Sequence, residues 1–541
     1  MVQRGTGDSR DWGGPALNSP ATGGATQGDR KPVISAAVVF LLAYGVIRSV
    51  FNASLHRLWF DELCAWFVVQ QPNLHALWLA LMRGADSQPP PFYLVEKLSR
   101  QFIANDQVAL RLPAAIGFCC MLGCVFLWLR RRYDAGVALV AASILLITPF
   151  FTRYTAEARG YGLLGGALSL ALLAYRLAPQ GKWMIVLAFS LAAAESSHFY
   201  AFVMMSPFFA AEGVFALKEK CFRWQVWAAF FCGVSPLILF WPIVAHMKSY
   251  YTEHAWMHPA PFQSLRIYGW LLGIPHGATG TFSWSEVAWI SVSAICLSVA
   301  ALLVYKGVRA DPKCEPHFHE NVLAGGFLLL PIILFVMVKT THALIAPRYL
   351  LPVSFGIVMA AAKGLDLLNR RTVKLIGVLL FVTIALQEAG FWLSYYGAYQ
   401  LGFRQSQPVQ DLVSKAGHAE LPVVLSDGHD YLETEHYASP EWKQRLTFVA
   451  DYRGALAHGR SDFNDKELLV LRDLGPLRVI EYPIFKERQS EFLLYSDPTD
   501  DNDPDWFIFR LLEDHWSLQK LVTDGHSTVY LVKFAGEKRQ E

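Results

Sequence analysis

Two adjacent acids, Asp61 and Glu62, stand in the stretch RLWFDELCAWF at residues 57–67, a few residues past an apolar run that ends near Phe51. Carboxylates this close to a bilayer are unusual. A positioned carboxylate can serve as a general base, whereas one in the first turn of a helix can simply cap it, contributing ~0.5–2 kcal/mol. Neighbours on a helix point about 100° apart, so the two are not a close catalytic pair. Among the candidate catalytic carboxylates, Asp61 either caps this helix or belongs to a reactive constellation, and Glu62 is expected to cap or support it. The third, Asp86, lies in GADSQPPPFYLVEKL (84–98), beside Gln88 and an aromatic platform of Phe92 and Tyr93. Three prolines there are expected to forbid helix and force a stiff, extended turn. TRYTAEARGYGLL (152–164) supplies Arg153, Tyr154, Arg159 and Tyr161, and THALIAPRYLLP (341–352) supplies Arg348. An arginine at a membrane mouth is costly unless paired, and its planar fork suits phosphate. Pairing with Asp61 or Asp86 is the structural alternative. His198, in ESSHFYAF, is a candidate substrate contact or an interfacial hydrogen-bonder.

The elements that must position these groups are membrane helices. The chain has 541 residues, 53% hydrophobic and only 17% charged, against about 25% charged for soluble proteins. Residues 401–541 hold 25 acids and 16 bases, net −9, while residues 1–400 carry net +11. A basic, apolar body therefore precedes an acidic, soluble tail. Residues 1–30, rich in Gly, Ser, Thr and Pro, are expected to be a disordered cytoplasmic segment, and the first apolar run an uncleaved span. Eleven candidate spans lie near 33–51, 108–129, 135–151, 161–178, 183–199, 200–217, 226–246, 285–305, 321–338, 349–365 and 374–395. Basic clusters in every second loop, such as Arg130-Arg131-Arg132 and Arg370-Arg371-Lys374, place those loops and the N-terminus in the cytoplasm. Loop 52–107, with one or two interfacial helices, and the tail then lie outside. The expected fold is an all-α polytopic bundle over 31–395 with a small C-terminal α/β domain over 396–541. In that domain LPVVLS, RLTFVAD, ELLVL and EFLLYS read as strands, SPEWKQRL as helix, and the end as a hairpin turning at Asp524-Gly525. The eight cysteines form neither a disulfide framework nor a CxxC pair.

FDE after the first span, then DSQPPPFY, RLPAAIG, RYTAEARGYGLL, SHFYAF and APRYLLP occur in this order. Together they resemble the polyprenyl-phosphate-sugar-dependent GT-C glycosyltransferases, in particular bacterial members related to protein O-mannosyltransferases and the lipid A aminoarabinose transferase. The resemblance covers about residues 33–400. It implies that the first-loop acid, Asp61, is the catalytic or metal-coordinating carboxylate and that Asp86 is its partner near the prolines. A divalent metal, if used, would sit on these two. Relatives have His or Lys where this chain has Gln88, and Pro91 is an insertion before the aromatic pair.

The implied function is transfer of a sugar from a polyprenyl-phosphate donor to a hydroxyl or amine of a lipid, glycan or protein at the outer face of a bacterial inner membrane. One carboxylate would activate the acceptor while arginines stabilise the departing phosphate, in a single inverting displacement. Membrane lipids are partners and no nucleic acid is expected. Two rivals stand beside this reading. A polytopic transporter or flippase would show charges near the midplane and repeat symmetry, and a non-catalytic envelope polysaccharide assembly protein would bind through its tail. KCEPHFHE (313–320), with Cys314, His317, His319 and Glu320, lies in a short cytoplasmic loop and lacks usual zinc-ligand spacing, whereas HDYLETEHY (429–437) puts His429, Glu433 and His436 roughly on one helical face, for which a solvated face is the simpler reading.

Overall fold

Every apolar run of the sequence folds as a helix or a pair of helices in the computed structural model, which describes residues 27–178, 181–251, 265–274, 284–341, 346–400, 408–459, 461–498 and 505–534. The expected disordered segment 1–30 falls mostly outside the described residues, and its last four residues already belong to the first helix, α1 (Gln27–Leu55). Among the described residues eleven helical segments correspond to the expected spans, but they are unequal. Eight are long and apolar enough to cross a membrane, and Ala135–Ile147 with Pro149–Ala156, bent by 54°, would make a ninth. Tyr161–Leu177 has 17 residues and Lys182–Glu195 has 14, about 25 and 21 Å at 1.5 Å per residue, short of a ~30 Å hydrocarbon core. Their shortness lets the turns around 157–160 and 196–199 lie deep, where Ala158 and Phe199 join the core formed by residues 58–93.

One end of the bundle gathers the basic loops. There Arg132 and Arg176 both reach Glu320, at 2.6 and 3.2 Å, Lys363 donates to Asn321 Oδ1 at 2.6 Å and Lys218 to the Ala310 carbonyl at 2.8 Å. Glu320 is thus an ion-pair partner, and no group of three or more His, Cys, Asp or Glu among the described residues is arranged to hold a metal. The opposite end carries loop 52–107. That loop folds into α2 (Phe60–Val69), α3 (Leu74–Met82) and α4 (Pro90–Phe102), ahead of the long α5 (Asp106–Arg130). The prolines do not exclude helix as expected. Pro89 is the extended N-cap and Pro90 and Pro91 open α4, positions where no backbone N–H is needed and φ near −65° is already helical.

Close helix packing comes from small residues, as is usual in membranes. A Cβ on Gly162 would stand 2.2 Å from the Ala114 carbonyl oxygen of α5, and one on Gly117 would stand 2.3 Å from that of Gly162. The first and last membrane helices are joined by Arg48 and Glu388, 2.6 Å apart and buried, with the Arg48 guanidinium over the rings of Phe151 and Phe391.

The tail domain holds β1 (Val423–Leu425), β2 (Leu446–Ala450), β3 (Val479–Glu481), β4 (Glu491–Ser496), β5 (Trp516–Asp524) and β6 (Ser527–Phe534), in the order β3-β2-β1-β4-β6-β5. The first four are parallel neighbours, and β6 and β5 extend the sheet antiparallel. Alternation sorts the strands onto two faces. Val424, Val449, Phe492 and Leu494 pack in one layer, while Val423, Leu425, Phe448 and Leu493 share a continuous core with Leu63, Phe67 and Tyr93 of the loop helices. ELLVL, expected as a strand, lies in the helix Phe463–Arg472, where Leu468 and Leu471 recur at helical spacing toward the sheet. The hairpin turns one residue later than expected, on Gly525-His526, with Gly525 at φ +60°.

Gly162→Val should cost more than the ~1–3 kcal/mol usual for overpacking, because its obstacle is backbone. Thermal unfolding in detergent should show a clear drop, whereas Gly123→Ala, with nothing within 4 Å of the added carbon, should keep or raise the midpoint.

Candidate active site

The site is assembled around an ion pair that seals its floor. Glu62 is fully buried and Arg111, on α5, nearly so; Arg111 Nε donates to Glu62 Oε1 at 2.7 Å and a terminal nitrogen to Oε2. The remaining Arg111 donors reach the carbonyls of Ala53, His56 and Arg57 at 2.9, 2.7 and 2.8 Å. Glu62 also accepts from the backbone N–H of Trp59, the N-cap of α2, at 3.2 Å, and from that of Ala158 at 2.6 Å. One carboxylate and one guanidinium therefore fix the end of α1, the start of α2, the body of α5 and the turn that carries Arg159. Glu62 has no oxygen left for substrate; its place is structural support of Asp61.

Asp61 sits one residue earlier, in the first turn of α2, and faces the other way. Its Oδ2 lies 3.0 Å from Arg159 and 3.2 Å from Arg348, yet no donor is aligned well enough to hydrogen-bond that oxygen. Burial alone would raise its pKa, but the charges of Arg159 and then Arg348 outweigh burial and hold the carboxyl below its ordinary range. Arg159 also donates to both oxygens of Asp86 at 2.8 Å, so one guanidinium bridges the two candidate aspartates. Gly160 keeps this turn tight: a Cβ there would stand 2.1 Å from the Ser197 carbonyl oxygen. The Nε atoms of Arg159 and Arg348 and the Oε1 of Gln88 are buried without a hydrogen-bond partner. A guanidinium between Asp61 and Asp86 repels a cation, so these two carboxylates, as arranged, do not fit a divalent metal.

An aromatic wall completes the site. Tyr161 packs on Tyr154 at 5.0 Å and on His198 at 5.4 Å, and Tyr349 lies 5.0 Å from His198 and 4.8 Å from Tyr200. His198 Nδ1 accepts from the Tyr200 N–H at 3.1 Å, which leaves the ring proton on Nε2. Burial, followed by Arg348 and Arg159, drives its pKa down to about 3, so it is a neutral donor. Tyr93 accepts from the Gln88 N–H at 3.1 Å and fixes the turn before the prolines. Arg153 does not join the group around Asp61; it is largely exposed and pairs with Glu157 at 2.6 Å.

Several neighbours carried no signal by residue type. Arg111 stands at the head of RLPAAIG, and its position inside an otherwise apolar run was the available clue. Glu96 of α4 and Glu467 of the tail are fully buried, and burial pushes both carboxyls well above the usual range, with Asp86 adding to the push.

Removing one partner of a buried ion pair leaves the other charge uncompensated and typically costs about 3–5 kcal/mol. Arg111→Met should destabilise the protein by that much in thermal or denaturant unfolding, and Glu62→Gln combined with Arg111→Met should recover part of the loss.

Residues 87–246 match the family described as dolichyl-phosphate-mannose-protein mannosyltransferase. Sequence comparison with curated proteins gives no match. Among solved structures the chain is similar to ArnT from Cupriavidus metallidurans in the apo state, with TM-score 0.51 and 13% identity over 92% of this chain and 98% of that one. ArnT bound to undecaprenyl phosphate gives 0.49 and 14% over the same shares. The Archaeoglobus fulgidus oligosaccharyltransferase in complex with Zn and sulfate gives 0.40 and 11%, over 90% and 72%. At such identities the likeness speaks for the fold, and the apo ArnT comparison carries it. The chain is thus a multi-pass membrane protein whose fold is similar to that of apo ArnT and whose residues 87–246 match a mannosyltransferase family model.

Proposed function

We propose that the protein moves a sugar from a polyprenyl-phosphate donor to a hydroxyl or amine of a lipid, glycan or protein acceptor, by inverting displacement, at the extracytoplasmic face of a bacterial inner membrane. The observation that carries this reading is the convergence of Arg159 and Arg348 on Asp61, each arginine with a buried Nε that has no partner. Two guanidiniums at one mouth suit a phosphate, which accepts from several donors at once. In the reaction they would act where charge grows on the departing phosphate.

The same arrangement makes donor binding and base strength interdependent. Without donor, the arginines hold Asp61 as a carboxylate of low basicity. The donor's phosphodiester, a monoanion drawn between them, would take up part of that positive charge, and Asp61 would regain affinity for a proton as the acceptor arrives and a second charge grows on the departing phosphate. Asp86 keeps Arg159 in place through two hydrogen bonds, and neutral His198 offers Nε2–H to a sugar hydroxyl or phosphate oxygen. The direction of the site follows from charge: the basic loops crowd the opposite end of the bundle, and such loops stay in the cytoplasm.

Asp61→Asn should lower turnover by ~10²–10⁴-fold, the usual contribution of a positioned base, while polyprenyl phosphate binds as well as or better than before, since a competing anion is gone. Release of polyprenyl phosphate from several polyprenyl-phosphate sugars, followed by mass spectrometry in proteoliposomes, checks the rate. A folded Asp61→Asn protein with near-normal turnover would refute the assignment. Arg159→Lys and Arg348→Lys should each weaken polyprenyl-phosphate binding despite retaining charge, because the fork is lost.

For topology, a cysteine placed at exposed Arg453 in a cysteine-free background should react with a membrane-impermeant maleimide added to spheroplasts. Labelling only after lysis would overturn the orientation.

A further inference from the structure

The tail domain grips the residues that precede Asp61 from a single helix, Gly428–Tyr437. Its Tyr437 hydroxyl accepts from the Leu58 N–H at 2.6 Å and its Glu433 Oε1 from the Phe60 N–H at 3.2 Å. At the start of the same helix the His429 ring lies 4.3 Å from the ring of Phe60, the residue next to Asp61. His429 is itself held: Nδ1 is 3.2 Å from Asp427 Oδ1 and 3.3 Å from Asn464 Nδ2, and Asp427 Oδ1 also accepts from the His429 N–H at 2.7 Å. With Nδ1 turned to Asp427, Nε2 is the nitrogen left for proton exchange. The side chain is 46% exposed, against 15% for Asp61 and 6% for Arg159. An oriented imidazole with access to water therefore packs on the residue that precedes the less exposed Asp61.

We propose that His429 is the relay through which a proton collected at Asp61 leaves the site. The proposal rests on the reading of Asp61 as the base and extends it to a residue of the tail domain. As the acceptor oxygen or nitrogen bonds to the anomeric carbon, the bond from that carbon to the phosphate oxygen breaks and its electron pair leaves with the phosphate. The acceptor's proton passes to Asp61, from Asp61 through water to neutral His429 Nε2, and from the imidazolium to solvent. No redox partner enters.

The surrounding charges fit this task. Asp427 at the N-cap and Asp430 and Glu433 within the helix act on His429 from its own element, Asp61 from α2, and Asn464 from the helix Phe463–Arg472. Burial would lower its pKa, but Asp427, then Asp61 and Glu433, raise it above the ordinary value of 6.5. The relay needs the neutral ring, so turnover should fall as pH drops through that raised value.

The test uses the full-length chain in native membranes, which supply the acceptor, with undecaprenyl-phosphate mannose and undecaprenyl-phosphate aminoarabinose as donor probes. In weak buffer His429→Ala and His429→Gln should lower turnover about tenfold or more, lose the acidic limb of the pH profile, leave donor KM unchanged and recover with added imidazole. Unchanged turnover in both variants, or a loss that imidazole does not restore, overturns the relay. A second measurement needs no turnover. In selectively labelled protein, nuclear magnetic resonance titration should place the His429 pKa lower in Asp61→Asn than in wild type, and an equal value overturns the relay. The two readings separate cleanly: normal turnover in Asp61→Asn sinks the base, whereas an inactive Asp61→Asn with normal His429 variants sinks only the relay.

Discussion

A carboxylate and a guanidinium taken wholly out of water must satisfy each other and nearly every remaining donor and acceptor, or the fold loses several kcal/mol. Glu62 and Arg111 meet that demand with five backbone groups from two stretches of chain: the carbonyls of Ala53, His56 and Arg57 with the N–H of Trp59, and the N–H of Ala158. The geometry leaves little slack. If the end of α1, the entry to α2 or the 157–160 turn moved, one of these bonds would be lost in a dry interior. The positions of Asp61 and Arg159, each a neighbour of a residue so fixed, follow from it.

The reactive end is then a matter of charge placed at short range. Arg159 is shared by Asp61 and Asp86, Arg348 arrives from a distant helix, and burial pushes the carboxyls of two further acids, Glu96 and Glu467, well up. Two arginines there face two aspartates. An incoming phosphate therefore disturbs the balance most at Asp61, whose Oδ2 is held by ion pairs without an aligned hydrogen bond. The tail domain belongs to this end. One face of its sheet shares a core with α2 and α4, so it buttresses the loop that presents Asp61.

Much of this was legible in the sequence because membrane helices announce themselves by length and composition. The eleven runs all became helical passages, and the four stretches bearing Asp61, Asp86, Arg159 and Arg348 came together at one end. Errors arose where local rules compete. The three prolines read as a block to helix, yet at the N-cap and first turn they initiate α4. ELLVL read as a strand, yet in FNDKELLVLR the spacing of Leu468 and Leu471 puts both on one helical face. Tyr161–Leu177 and Lys182–Glu195 are too short to span alone, a distinction that hydropathy windows blur when two runs adjoin.

The sequence by itself determined which residue types face the membrane and which are too costly to be there without a reason, because the transfer free energy of a side chain depends on its chemistry and not on its partners. That was enough to single out Asp61, Arg159 and Arg348. It could not assign partners. That Arg111, and not another arginine, neutralises Glu62, that Arg159 joins Asp61 to Asp86, and that His429 of the tail lies on Phe60 are contacts between residues 49, 98, 73 and 369 positions apart. Such pairings carry no periodicity and are decided only when the helices pack, since electrostatic attraction in a dry interior depends on distances of a few ångströms.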